Sequence, residues 1–252
     1  MPPLSPVRAC ALAAATGILL VSLAVAGWAA SVLPVELPSP VRARLAPVTD
    51  KASLASHVDG EPFRGRRDVF EYLIDHPEFA THVTRTLKVA RYRIWKVPGG
   101  FGIDDGWGVV GTFEIVYSAP GIRVMHAQGE YQQRLLPNIR GQAVVSISYA
   151  TTPAGQGAST IATAVGSVVK LDSKLMAVAG RLASSAAHAK AEKEGKRLVK
   201  VFAKTTRAIE DDPAGLWRAL RAQPEVPRQE LEEFRRLLSL PSVSEPGASA
   251  RR

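Results

Sequence analysis

The sequence predicts an α+β fold: an antiparallel sheet of six to seven strands laid against one long C-terminal helix. Three observations predict it. Residues 92–171 hold six segments of strand character separated by short turns, with no helical segment between them, which excludes a parallel sheet. After them, apolar residues recur at three and four from Leu175 to Ile209, the mark of a long amphipathic helix. Before them, residues 68–87 carry two short helical patterns broken at His76-Pro77.

Composition bounds the rest. The chain has 252 residues, 46% apolar and 22% charged, enough for a hydrophobic core and unlike a disordered, collagen-like or disulfide-dense chain. A lone cysteine, Cys10, excludes an intramolecular disulfide and a cysteine zinc site. The formal charge of +9 favours acidic partners such as phospholipid headgroups or nucleic acid without choosing between them.

The elements follow in chain order. Residues 1–30 read as a signal peptide or an N-terminal membrane anchor: Arg8 precedes an apolar run over 9–30, and Ala24-Val25-Ala26 fits a cleavage site. The alanine content of the run favours cleavage, and either form exports the rest. Residues 31–62 hold five prolines and read as a linker, with 53–58 a poor candidate for an edge strand. Asp68 is the expected N-cap of a helix presenting Val69, Phe70, Leu73 and Ile74, and Asp75 the expected cap of the next, which carries Phe79, Val83 and Leu87.

Strands are expected at 92–97, 101–107, 109–118, 122–132, 142–152 and 159–171, with turns at Pro98-Gly99-Gly100, Pro120-Gly121, Leu136-Pro137-Asn138 and Gly155-Gln156-Gly157. Ser173 is the expected N-cap of the long helix. Gly195 weakens that helix by roughly 1 kcal/mol. It ends near Asp211-Asp212-Pro213, two short helices follow at 214–221 and 228–238, and 241–252 read as a disordered tail. The main domain is thus expected over 63–212 with a helical extension over 213–240. No internal repeat is present.

The stretch DVFEYLIDHPEFATHV, with Phe70, Leu73 and Asp75 in a "vF-x-x-L-x-D" phrase, resembles the opening helices of the START-like (SRPBCC) superfamily. Together with the element order, the resemblance covers roughly 68–209. It implies the helix-grip fold, a curved antiparallel sheet wrapped on the C-terminal helix. It also implies an apolar ligand enclosed between the two. Lipid and sterol carriers, aromatic cyclases and ring-hydroxylase subunits belong to that superfamily. The last strand is small or apolar on both faces, and the helix is small over 177–191, which leaves either a hollow or a close-packed seam. The resemblance favours the hollow.

Candidate ligand-binding residues are the strand aromatics Trp107, Phe113, Tyr117, Tyr131 and Tyr149, for which core packing is the plainer reading, and the turn flanked by Arg134 and Arg140. That turn carries Leu135, Leu136 and Ile139 and suits the mouth of a cavity, its arginines gripping an anionic head. His126 shares a strand face with Val124 and Gln128 and reads as structural; a general base is the sharper alternative. Asp105 is expected to face water; if turned inward it needs Arg134 or Arg140 as partner. The histidines lack metal-ligand spacing, and no nucleophile, Walker or dinucleotide motif occurs, so neither metal nor cofactor is expected. Lys190, Lys193, Arg197, Lys200, Lys204 and Arg207 form a basic stripe, most simply a solvated face, alternatively a surface for anionic lipid. Nucleic acid is not expected, since no aromatic RNA-binding phrase occurs.

The leading functional expectation is an exported, periplasmic or secreted module that binds an apolar or amphipathic ligand, lipid foremost, near a membrane. The alternatives are a cyclase-type enzyme using His126 or Asp105, and a ligand-free interaction domain using its basic helix.

Overall fold

A computed structural model describes residues 37–132 and 138–241, with backbone alone at 173–184 and 186. The chain runs α1 (Ser39–Thr49), β1 (Leu54–Asp59), β2 (Phe63–Gly65), α2 (Arg67–Asp75), α3 (Pro77–Thr86), β3 (Arg93–Val97), β4 (Gly100–Asp104), β5 (Val109–Ala119), β6 (Ile122–Tyr131), β7 (Ile139–Pro153), β8 (Ser159–Leu171), α4 (Ser173–Asp211), α5 (Pro213–Arg221) and α6 (Arg228–Leu237). The predicted meander is present as β3 to β8. β1 and β2 both pair antiparallel with β8, which makes an eight-stranded sheet in the order β1-β8-β7-β6-β5-β4-β3. This is a helix-grip α+β fold, with a 39-residue α4 on the inner face of the sheet.

Of the residues read as a linker, those described, 37–62, are structured. α1 forms despite its prolines. Pro40 lies in the first turn, where its missing N–H has no partner to lose, and Pro47 sits near the other end. What holds the helix is burial. Leu45 and Val48 pack with Leu37 onto Val124 and Val144, on the outer face of the sheet. The possible edge strand at 53–58 is present as β1, at the edge of the sheet, and its Val58 lies opposite Val165. So the apolar character of both faces of β8 has a plain cause. Val165 meets α4 through Val199, while Val168 packs on the other face with Ala55.

Two caps are corrected. Arg66 is the N-cap of α2, and Asp68 lies one position inside the first turn, accepting from the Val69 N–H at 2.9 Å. Asp75 does not cap α3, where His76 holds that place. The helices after α4 are no appendage. Leu216, Trp217, Leu220, Leu231 and Phe234 form one buried cluster with Val69, Leu73, Phe79 and Val83 of α2 and α3. Asp212 caps α5 by accepting from the Gly215 N–H at 2.8 Å.

The sheet curls around α4 because three neighbouring strands carry glycine in one row. Gly111 pairs with Gly129, and Gly129 with Gly141. A Cβ on Gly111 would lie 2.3 Å from the Gln128 carbonyl oxygen, one on Gly129 2.5 Å from that of Val110, and one on Gly141 2.7 Å from that of Lys170. Backbones this close leave no room for a side chain. Gly195 answers the same need in the helix, since a Cβ there would stand 2.9 Å from Val58 Cγ2. Its helix-weakening cost permits the close approach of α4 to β1.

Gly129→Val is expected to cost about 2 kcal/mol through overpacking, a fall in Tm of roughly 4–8 °C for a domain of this size. Scanning calorimetry checks it; an unchanged Tm would show that the strands separate freely at this row.

Candidate functional site

The inner face of the sheet is an apolar trough. Ile103 of β4 pairs with Gly111, and Phe101 with Phe113. Phe113 pairs in turn with Ala127, Ile115 with Met125, Ala127 with Ala143 and Met125 with Val145. Phe101 and Phe113 stack at 5.2 Å between centroids. Phe113 is buried, yet Phe101, Ile103, Ile115, Met125, Ala127, Ala143 and Val145 all keep part of their surface accessible, and Gly129 is exposed. Apolar residues on a covered sheet face are ordinarily buried outright. Here they stay partly accessible, although Met125 and Val145 pack against the cluster that includes Val199 of α4.

Charged groups border the trough at both ends, and each set is saturated. At one end the Arg123 side chain comes off β6 on the same face as Met125. Its Nε and Nη2 donate to the two Asp75 oxygens at 2.5 and 2.7 Å, and Nη1 donates to the carbonyls of Ala119 and Ile122. The bond to Asp75 raises the Arg123 pKa against the opposing effect of burial. Beside it Tyr149 donates to Glu71 at 2.8 Å and packs edge-on against Phe70. Burial, then that bond, pushes the Tyr149 hydroxyl above its ordinary pKa, so it stays protonated.

At the other end α4 is clasped to the turn between β4 and β5. Asp105 Oδ1 accepts from the N–H groups of Trp107 and Val109, at 2.7 and 2.9 Å, and Oδ2 accepts from Lys190 Nζ at 2.8 Å. Lys190 also meets Glu194 at 2.9 Å and stands 5.0 Å from the centre of the Tyr131 ring. Arg197 lies 3.6 Å over the Trp107 ring and pairs with Glu194. Burial draws the Lys190 pKa down, but its two carboxylates outweigh that and leave it raised.

The sequence candidates are therefore dispersed. Phe113, Tyr131 and Tyr149 are on the inner face, at the middle and the two ends of the trough. Trp107 serves the clasp. Tyr117 was expected beside Phe113 and Ile115. A bulge between Ile115 and Tyr117 shifts the register, and Tyr117 packs instead against the α1 cluster. Arg140 is 72% exposed and paired with Glu130. Arg134 and the centre of its turn lie outside the described residues. Asp105 is 4% exposed rather than solvated, and its partner is Lys190, not Arg134 or Arg140.

His126 shares the outer face with Val124 and stands 3.5 Å from Glu114, which Arg44 of α1 also pairs; it does not face the trough. The basic stripe divides. Lys190 and Arg197 turn to the clasp, while Lys193, Lys200, Lys204 and Arg207 are exposed. The Arg123–Asp75 pair escaped sequence reading, although an arginine alternating with Met125 and Ala127 on an apolar face was its signal.

A groove of about 660 Å³ crosses β5 to β8 at the glycine row, but its side-chain walls, among them Thr112, Gln128, Gln142 and Lys170, belong to the outer face. Among the described residues no cluster of three metal-ligating side chains occurs, and no helix is long and apolar enough to cross a membrane.

No family model and no curated protein matches the chain. Solved structures do. A conserved protein from Geobacillus kaustophilus is 14% identical, covering 63% of this chain and 97% of its own, with a TM-score of 0.37. A hypothetical protein from Helicobacter pylori is 10% identical over 61% and 85%, with a TM-score of 0.35. Norcoclaurine synthase from Thalictrum flavum, in complex with dopamine and hydroxybenzaldehyde, is 10% identical over 71% and 95%, with a TM-score of 0.34. At these scores the likeness says nothing of ligand or reaction.

Removing one partner of a buried ion pair strands the other. Lys190→Met is expected to cost about 3 kcal/mol, read by urea unfolding. Because the Lys190 pKa is raised in the fold, the clasp contributes in full below the ordinary lysine pKa of about 10 and is lost only as pH rises above it. The cost of the substitution is therefore the same at pH 6 and pH 8, roughly two units or more below that value. A loss that shrinks between those pH values would contradict the assignment.

Proposed function

We propose that this chain is an exported START-like protein that holds an apolar or amphipathic ligand, a lipid foremost, in the trough between sheet and α4. The observation that carries the reading is the run of half-accessible apolar side chains from Phe101 to Val145 across four strands. Packing should have buried them if the layers met flush. The helix-grip topology and the "vF-x-x-L-x-D" phrase of α2 support the same reading, as does the apolar leader over 9–30 for export. No observation favours a cyclase: His126 is on the outer face, and Asp105 is occupied by three donors.

Native mass spectrometry of protein purified from its own host is expected to show a co-purifying lipid, and the stripped protein to take up a fluorescent fatty acid. Each methylene buried contributes about 0.8 kcal/mol, so affinity rises roughly tenfold for every two carbons of chain. Ala143→Trp, which fills the trough, is expected to abolish uptake, whereas Ala162→Trp on the exposed outer face leaves it intact. An empty protein with no uptake at any chain length would overturn the proposal.

A further inference from the structure

We infer that the exposed face of α4 docks on an anionic lipid bilayer. Lys193, Lys196, Lys200, Lys204 and Arg207 follow one another at intervals of three and four and are all exposed. At 100° per residue they fall within an arc of about 80° and form a straight row about 21 Å long. The two other cations of the sequence stripe, Lys190 and Arg197, lie to one side of this row and are taken up by Asp105, Glu194 and Trp107. Among the described residues, Lys196 alone of the row has an acidic partner, Glu192, and Asp211 closes its far end. The row remains net cationic.

Its chemistry selects a membrane over other polyanions. No aromatic ring stands among the exposed positions of α4 between 189 and 207, so nothing there stacks on a base. Four of the five cations are lysines, compact charges suited to the diffuse field of a headgroup layer rather than to a bidentate grip on one phosphate.

The position of the chain agrees. Leu37 packs with Tyr117 and Ile122 beside the β5–β6 turn. Tyr149 donates its N–H to Gly121 in that turn and touches Phe70, which in turn touches Phe202 of α4. So the chain enters the fold at the end of the sheet where α4 carries Lys200, Lys204 and Arg207. Only residues 31–36 separate Leu37 from the apolar stretch, a span of about 20 Å when extended. Where that stretch is retained, a bilayer holding it lies near this end of the sheet.

The test takes the protein as its host makes it and places it with vesicles of phosphatidylcholine, with or without phosphatidylglycerol. Labelling of lysine amines is then read residue by residue by mass spectrometry. Lys193, Lys200 and Lys204 are expected to be protected at least about fivefold by the anionic vesicles at low salt, the equivalent of about 1 kcal/mol per cation. Neutral vesicles and high salt are expected to give no protection, and exposed Lys51 to label equally throughout. The double variant Lys200→Glu, Lys204→Glu, at exposed positions, is expected to lose the protection of Lys193 while melting like the parent. Equal labelling with both vesicle types would overturn the inference, and so would protection by double-stranded DNA in place of anionic vesicles.

Discussion

A sheet grips a helix only if it bends, and here the bend depends on what three residues lack. Gly111, Gly129 and Gly141 bring adjacent backbones closer than any side chain allows. Through that row β5, β6 and β7 turn inward around α4, and Gly195 lets the helix meet β1 from the other side. The trough lies along the resulting hollow. Small residues continue it at Ala127 and Ala143, so the space follows from the same choice of residue that makes the curve.

The charged ends of the trough act as fasteners. Arg123 with Asp75 ties β6 to the last residue of α2, and Lys190 with Asp105 ties α4 to the β4–β5 turn. Each set joins elements distant in sequence and leaves its hydrogen-bonding capacity spent. That is the arrangement expected of buried ions, which stabilise when matched and cost several kcal/mol when stranded. The charged groups at the two ends are thus engaged with one another, and the described side chains between them, from Phe101 to Val145, are apolar.

Much of this was legible in the residues. The six-strand meander, the break at His76-Pro77 and the long helix all follow from periodicity and turn chemistry, because those signals are local. What periodicity could not show was tertiary. Pro40 and Pro47 concealed α1, since only burial of Leu45 and Val48 against the sheet makes that segment a helix. The bulge at Ile115 and Tyr117 sent Tyr117 to the opposite face from its alternation. Asp105 was recognised as needing a partner if turned inward. Its true partner, Lys190, is 85 residues away and stood in the sequence as one more cation of a stripe. The site aromatics were a mixed set for the same reason: strand spacing assigns faces, whereas the clasp and the fasteners are assigned by three-dimensional contact.

The shared core of α2, α3, α5 and α6 has a consequence for how the molecule is made. Val69, Leu73 and Phe79 near its start are enclosed by Leu220, Leu231 and Phe234 near its end. The first helices thus emerge long before their cover exists, and loop closure over that separation is slow relative to local folding. A chain made in N-to-C order keeps this seam open until α6 has been added. Maturation is therefore a late, concerted event, and a chain stopped short of α6 presents its opening helices to any chaperone or protease nearby.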